Sequence, residues 1–182
     1  MSSKALPLLP GAMLGILGGG QLGRMFTVAA RTMGYQVMVL DPDPKSPAGQ
    51  MADLHLQAGY TDAAALEQMA ARCAAITTEF ENVPADSLIA LAKSCRVSPG
   101  ADAVAIVQDR SHEKSWLAQH GFPTAPFALV YNEGDLDAAL ADIGTPALLK
   151  VARFGYDGKG QARIQAPADA HAAFREFGGQ PC

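Results

Sequence analysis

The sequence predicts an α/β fold built on a mainly parallel sheet, followed by the start of a second, smaller α/β unit. Short apolar runs alternate with amphipathic segments along the front of the chain, a rhythm that calls for parallel strands with helices on both faces. A glycine cluster follows the first apolar run and opens the first amphipathic segment. Near Asp109 the rhythm gives way to a helix, a proline-stiffened stretch and a strand–turn–strand–helix module.

Residues 14–17 are a short apolar run ending in glycines, the pattern of a buried strand. A helix is expected from Gln21 to Met33, with Leu22, Met25, Phe26, Ala29 and Met33 as the apolar stripe on one face. Gly34 stands where a left-handed cap commonly ends a helix. Residues 36–40 read as a second strand closed by Asp41, and residues 54–58 as a short third one. Residues 62–72 form a helix with Leu66, Met69, Ala70 and Cys73 inward, and residues 75–78 another strand. Pro84 is tolerated near the start of the next helix, where its missing N–H has no partner anyway.

Past Asp109, residues 111–120 read as an amphipathic helix and residues 121–126 as an extended stretch held by Pro123 and Pro126. A strand at 127–130, a helix at 135–143 stopped by Gly144, and a strand at 147–151 follow. That strand runs into a glycine-rich turn at 155–160, then a strand at 162–164 and a helix at 168–177. A second domain made of so few strands buries too little surface to stand alone, so truncation is expected. No internal repeat or low-complexity tract is present.

The chain has 182 residues, 49% of them hydrophobic and 18% charged, a composition suited to a packed soluble protein. A formal charge of −4 supplies no footprint for nucleic acid, so an anionic ligand must be held by local groups. No apolar run approaches the roughly 20 residues of a membrane helix. The opening segment is broken by Pro7 and Pro10, so residues 1–11 read as a flexible lead-in rather than a secretory signal. Cys73, Cys95 and Cys182 show neither paired nor zinc-type spacing, which fits a reducing cytoplasm, with Cys73 and Cys95 as buried thiols. His55, His112, His120 and His171 also lack metal-ligand spacing.

Four stretches carry chemistry. Gly18-Gly19-Gly20-Gln21-Leu22-Gly23 satisfies G-x-G-x-x-G after a strand and at a helix start, where glycines let backbone approach a phosphate and free N–H groups favour an anion. Asp41, ending the next strand, is where a dinucleotide enzyme holds a ribose hydroxyl, but Pro42, Pro44 and Pro47 stiffen the loop where adenosine would need room. A purely structural turn is the plainer alternative. Glu79, Glu81 and Asn82 lie at a strand end, where parallel sheets bind ligands. They suit a polyol or an amine, or else Asn82 simply caps the next helix. Lys150 ends an apolar strand and Lys159 sits in the glycine loop beyond it, a charge clamp for a triphosphate that could also be an exposed hairpin tip. Gln108, Asp109 and Arg110 open a helix whose charges read as a solvated face capped by Ser111.

Taken in order, these stretches resemble the ATP-grasp superfamily, and within it the carboxyaminoimidazole ribonucleotide synthetases. The likeness rests on residues 18–25, 40–42, 79–83, 108–110, 123–126 and 154–161 and spans nearly all of the chain after Gly11. It implies a Rossmann-like pre-ATP-grasp domain over residues 12–110 and the first, incomplete part of an ATP-grasp domain over residues 111–182. The implied reaction joins ATP, bicarbonate and aminoimidazole ribonucleotide through carboxyphosphate, in de novo purine biosynthesis. Gly20, Gln21 and Leu22 would meet the substrate ribonucleotide, Glu79 its sugar, with Asn82 nearby. Arg110 and Lys150 would contact ATP phosphates, and Gly155, Tyr156, Asp157, Gly158, Lys159, Gly160 and Gln161 would form the lid over the nucleotide. Tyr156, Asp157 and Lys159 would also reach bicarbonate or the imidazole amine as catalytic groups.

Members of this family continue past Cys182 into a lobe that carries the Mg²⁺ ligands, so none is expected in this chain, which should be inactive alone. A homodimer is implied at full length, with no nucleic-acid or membrane partner. Three other classes stay open: an NAD-dependent oxidoreductase, another ATP-grasp enzyme such as biotin carboxylase or the formate-dependent glycinamide ribonucleotide transformylase, and a non-catalytic sensing domain. The first leaves the 155–161 loop unexplained, and Gln21 with the 79–82 stretch favours the synthetase over the second.

Overall fold

The computed structural model describes residues 7–155 and 158–182. It forms two compact units, divided between Ala105 and Ile106. The first unit holds β1 (Met13–Leu17), α1 (Gln21–Thr32), β2 (Gln36–Leu40), β3 (Leu54–Leu56), α2 (Ala63–Arg72), β4 (Ala75–Thr78), α3 (Ala85–Ala92), β5 (Arg96–Val97) and most of α4 (Ala101–Val107). Its five strands are all parallel, in the order β3-β2-β1-β4-β5.

Register decides where the loops go. Leu17 pairs with Leu40 on one side and with Thr78 on the other, so β1, β2 and β4 end flush. The segments after them, starting at Gly18, Asp41 and Glu79, therefore leave one edge of the sheet together.

Alternation along the strands builds two cores. Leu17, Met38, Leu40 and Ile76 face α2 and α3, packing on Leu66, Met69, Cys73, Leu88 and Leu91. Ile16, Val37 and Val39 point the other way, with Ala30, Ala48 and half-buried Phe26. Each large side chain taken fully out of water contributes about 1.5–3 kcal/mol.

The apolar stripe expected on α1 is on the wrong side. Leu22, Met25 and Met33 are 61%, 60% and 60% exposed, Ala29 is exposed, and only Phe26 turns partly inward. The buried face is Gly23, Thr27 and Ala30. The helix lies too close to the sheet for large residues: a Cβ on Gly23 would stand 2.7 Å from the Gly18 carbonyl oxygen. Thr27 enters because its hydroxyl donates to the Gly23 carbonyl at 2.8 Å. Gly34, just past the helix, has φ +84, the left-handed cap its position suggested.

Two side-chain caps, the expected one at Ser111 and the alternative reading of Asn82, do not form. Asn82 donates to the neighbouring Glu81 carboxylate, and Pro84 precedes the first residue of α3 with no side-chain cap. The second unit opens with α5 (Arg110–Gln119), and Asp109, not Ser111, caps it by accepting from the Ser111 and His112 N–H groups. Ser111 itself is buried inside the helix. Asp109 caps because it holds the extended position just before the first helical residue, Arg110, whereas Ser111 already lies within the first turn.

The second unit continues with α6 (Asp135–Ile143), β6 (Ala147–Lys150), β7 (Gln161–Ile164) and α7 (Pro167–Glu176). β6 and β7 are antiparallel, with Lys150 opposite Gln161. Val130, Leu136, Ile164, Ala170, Ala173 and Phe174 form its core. The strand expected at 127–130 does not form. Val130 alone exchanges two backbone hydrogen bonds, at 3.0 and 2.8 Å, with Cys182, and Pro123 and Pro126 supply no donors for a longer ladder. Among the described residues, no helix is long and apolar enough to cross a membrane.

Candidate functional site

The glycine loop of the first unit is built around two carboxylates from distant parts of the chain. Gly18, with φ +102, turns the backbone sharply out of β1. Asp41, at the end of β2 and 9% exposed, accepts the Gly19 N–H at 2.7 Å, the Tyr60 hydroxyl at 2.8 Å and the Asp43 N–H at 2.8 Å. Both its oxygens are therefore committed to the protein. A dinucleotide ribose would have to displace one of these donors, which counts against the nicotinamide alternative.

Glu79, at the end of β4, reaches the start of α1. Its carboxylate accepts the Gly20 N–H at 2.5 Å and the Leu22 N–H at 3.1 Å. The anion that a helix N-terminus attracts is thus the chain's own. No side chain fits at Gly20, where a Cβ would lie 2.5 Å from Glu79 Oε1. Gln21 and Leu22 face solvent beside this carboxylate, and Asn82 is half-buried further along the same loop. Phe80 packs its ring edge-on to Tyr60, 5.7 Å between centroids. Burial, the hydrogen bond to Asp41 and the charges of Asp41 and Glu79 all push the Tyr60 phenol up, so it remains a neutral donor.

The second unit carries a different site. Lys150 ends β6, the Val151 N–H bonds the Gly160 carbonyl at 2.8 Å, and the Arg110 N–H bonds the Ala152 carbonyl at 2.8 Å. These bonds place the Arg110 and Lys150 side chains on one cavity of about 90 Å³, walled by Gly155, Gly158, Lys159, Gly160 and Gln161. Among the described residues, the Arg110 Nε is buried with no hydrogen-bond partner. Leaving a guanidinium N–H unpaired is costly, and Arg110 lines this cavity. At about 90 Å³ it lies far below the roughly 300–1,000 Å³ of a whole-ligand pocket.

The turn around this cavity depends on backbone that side chains disfavour. Gly158 and Gly160 have φ +80 and +65, and a Cβ on Gly160 would sit 2.4 Å from Val151 Cγ2. Phe154 adopts φ 59 without being glycine and leaves its ring 66% exposed, with the Arg153 guanidinium 5.5 Å from the ring centre. Tyr156 and Asp157, two of the expected lid and catalytic residues, lie outside the described residues. Among those described, no group of three His, Cys, Asp or Glu side chains is placed to hold a metal ion.

The structure thus joins Gly20, Leu22 and Glu79 in one unit and Arg110, Lys150, Lys159 and the flanking glycines in the other. Tyr60 was missed by sequence reasoning, because an isolated tyrosine 19 residues past Asp41 gives no motif to follow.

Residues 12–108 match the family model of the ribonucleotide synthetase pre-ATP-grasp domain, and residues 115–182 match the ATP-grasp domain. The N5-carboxyaminoimidazole ribonucleotide synthase of Pseudomonas aeruginosa is 44% identical over 169 residues, 93% of this chain and 47% of that protein. The Staphylococcus aureus N5-carboxyaminoimidazole synthetase, solved with ADP, superposes with a TM-score of 0.91 at 39% identity, covering 96% of this chain and 47% of that one. The Aspergillus clavatus enzyme, solved with ADP and 5-aminoimidazole ribonucleotide, gives a TM-score of 0.80 at 29% identity over 91% of this chain and 44% of that one. The chain spans about half the length of the curated relatives it matches.

Proposed function

The chain belongs to the ribonucleotide synthetase pre-ATP-grasp family, and from that premise we propose that it supplies the ribonucleotide seat and part of the nucleotide-phosphate seat of an N5-carboxyaminoimidazole ribonucleotide synthase. In this assignment residues 12–110 form the ribonucleotide-binding domain and residues 111–182 begin the ATP-grasp domain. The observation that carries it on this chain's own residues is that Arg110, whose buried Nε has no partner among the described residues, lines one small cavity with Lys150, Lys159 and the glycines of the turn. The choice of ribonucleotide is supported by the relative solved with ADP and 5-aminoimidazole ribonucleotide.

The reaction would run in two transfers. A bicarbonate oxygen attacks the γ-phosphorus of ATP, giving carboxyphosphate as ADP leaves. The exocyclic amine of aminoimidazole ribonucleotide then attacks the carboxyl carbon, loses a proton and expels phosphate. Arg110 and Lys150 would hold phosphate oxygens and offset the charge that builds on them. The glycine-rich turn 155–160, with Lys159 and Gln161, would fold over the nucleotide and exclude water that competes for carboxyphosphate. Tyr156, Asp157 and Lys159 would contact bicarbonate or the attacking amine.

In the first unit, the Glu79 carboxylate would accept the ribose hydroxyls while keeping its hold on Gly20 and Leu22, with Gln21 and Asn82 at the rim. Because the amides at the start of α1 already carry Glu79, the substrate phosphate would be bound elsewhere. Magnesium would accompany ATP, but no described group of carboxylates fits it and no step is assigned to it. The assignment includes a cytosolic, homodimeric enzyme at full length.

Calorimetric titration of the chain with ADP, aminoimidazole ribonucleotide and NADH tests the proposal. Binding of the first two without the third is expected. Binding of NADH with no response to the ribonucleotide would remove the basis for it.

A further inference from the structure

Two side chains outside the ligand-contacting set converge on the glycine loop, and neither is explained by packing alone. Asp41 is buried and ends β2, while Tyr60 stands between β3 and α2. Asp41 Oδ2 receives both the Gly19 N–H at 2.7 Å and the Tyr60 hydroxyl at 2.8 Å. Tyr60 then packs on Phe80, the residue next to Glu79. The loop has little freedom on its other side: a Cβ on Gly19 would stand 2.6 Å from Ser46 Oγ and 2.9 Å from Asp41 Cβ. The Ala48 N–H also bonds the Gly19 carbonyl at 2.8 Å. Gly19 is therefore clamped through both of its polar groups, one amide before the Gly20 N–H that Glu79 accepts.

Asp41 and Glu79 carry like charges on adjacent amides of one turn. Without the Tyr60 hydroxyl, Asp41 Oδ2 would keep only the Gly19 N–H while Oδ1 stays tied to the Asp43 N–H, so the hold on Gly19, and with it the aim of Glu79, would loosen. The Tyr60 hydroxyl satisfies Asp41 and its ring braces the Glu79–Phe80 segment. From this geometry we infer that Tyr60 and Asp41 are positioning residues, which hold the glycine loop so that Glu79 presents its carboxylate to the ribonucleotide. This rests on the proposed ribonucleotide seat. The role differs from the one an acid at this strand end has in dinucleotide enzymes, because Asp41 here faces the protein and not a ligand.

The test uses Tyr60→Phe, which keeps the ring and removes only the hydroxyl, and Asp41→Asn as a second change. Hydrogen exchange read by NMR is expected to speed up by about tenfold at the Gly19 and Gly20 amides, while amides of β1 and β2 keep their protection. Titrations are expected to show aminoimidazole ribonucleotide binding weakened about tenfold and ADP binding unchanged, a split that general destabilisation does not produce. If both variants lower the melting temperature but leave Gly19 and Gly20 exchange at the wild-type rate, the positioning role is wrong, whatever binds. If the wild-type chain fails to bind the ribonucleotide, the ribonucleotide seat fails instead, and the exchange rates still decide whether the clamp exists. Equal ribonucleotide affinity in wild type and Tyr60→Phe also overturns the inference.

Discussion

Glu79→Ala removes the carboxylate that sits on the start of α1, and the consequence can be worked from two hydrogen bonds. The Gly20 N–H is partly buried and would lose its 2.5 Å acceptor, while the more exposed Leu22 N–H can turn to water. An unsatisfied buried donor costs about 1–3 kcal/mol. Losing a carboxylate from a helix N-terminus adds about 0.3–1 kcal/mol. A sum of about 2 kcal/mol lowers the melting temperature of a unit this size by roughly 8–16 °C. Calorimetry of wild type and variant measures the drop. Phosphate supplies a sharper contrast, because emptying the seat exposes amides that attract anions. At 100 times its dissociation constant, phosphate would return about 2.7 kcal/mol to the variant. Wild type, whose seat is filled, should gain nothing at that site. A variant that melts with wild type, or an equal phosphate effect on both proteins, would refute the view that Glu79 occupies the loop.

Gly160→Ala should destabilise the second unit by about 2–4 kcal/mol, since Ala resists φ +65 and its Cβ would stand 2.4 Å from Val151 Cγ2; urea melts measure the loss. His171 joins Asp137 at 3.0 Å and Glu133 at 3.2 Å through its two ring nitrogens, so both must donate and the ring must be charged. The hydrogen bonds to Asp137 and then Glu133 raise its pKa, so the tie is complete below the unfolded value of about 6.5 and is lost as pH rises through the higher folded value. Melting temperatures taken upward from about pH 6 should therefore fall, and His171→Ala should flatten that fall; parallel curves would show that the tie does not form.

The sheet was legible because residues 14–17, 36–40 and 75–78 are apolar runs bounded by glycine or acid, and buried parallel strands look that way from sequence alone. Their chemistry-bearing ends were legible for the same reason. The phase of α1 was not. Periodicity finds the larger apolar stripe, yet close approach to the sheet selected Gly23, Thr27 and Ala30 and left Leu22, Met25 and Met33 outside. The grip of Glu79 on Gly20 spans 59 residues of sequence, and that of Asp41 on Gly19 spans 22. No local pattern encodes such pairs; they exist because β1, β2 and β4 end in register. The lysines and glycines of the second site could be read directly, since β6, the turn and β7 are contiguous, whereas Arg110 joins them through a backbone bond to Ala152 that only the fold supplies.

Two separate seats, one at Glu79 and one at Arg110 and Lys150, are best tested by NMR shift mapping of the chain with each ligand alone. ADP is expected to move Arg110, Lys150 and Gly160 and to spare residues 18–22, while aminoimidazole ribonucleotide is expected to move residues 18–22 and to spare Arg110 and Lys150; Arg110→Ala should abolish only the first response. ADP leaving Arg110 and Lys150 unmoved, or NADH shifting Gly18, Gly20 and Asp41 where the ribonucleotide does not, would contradict it.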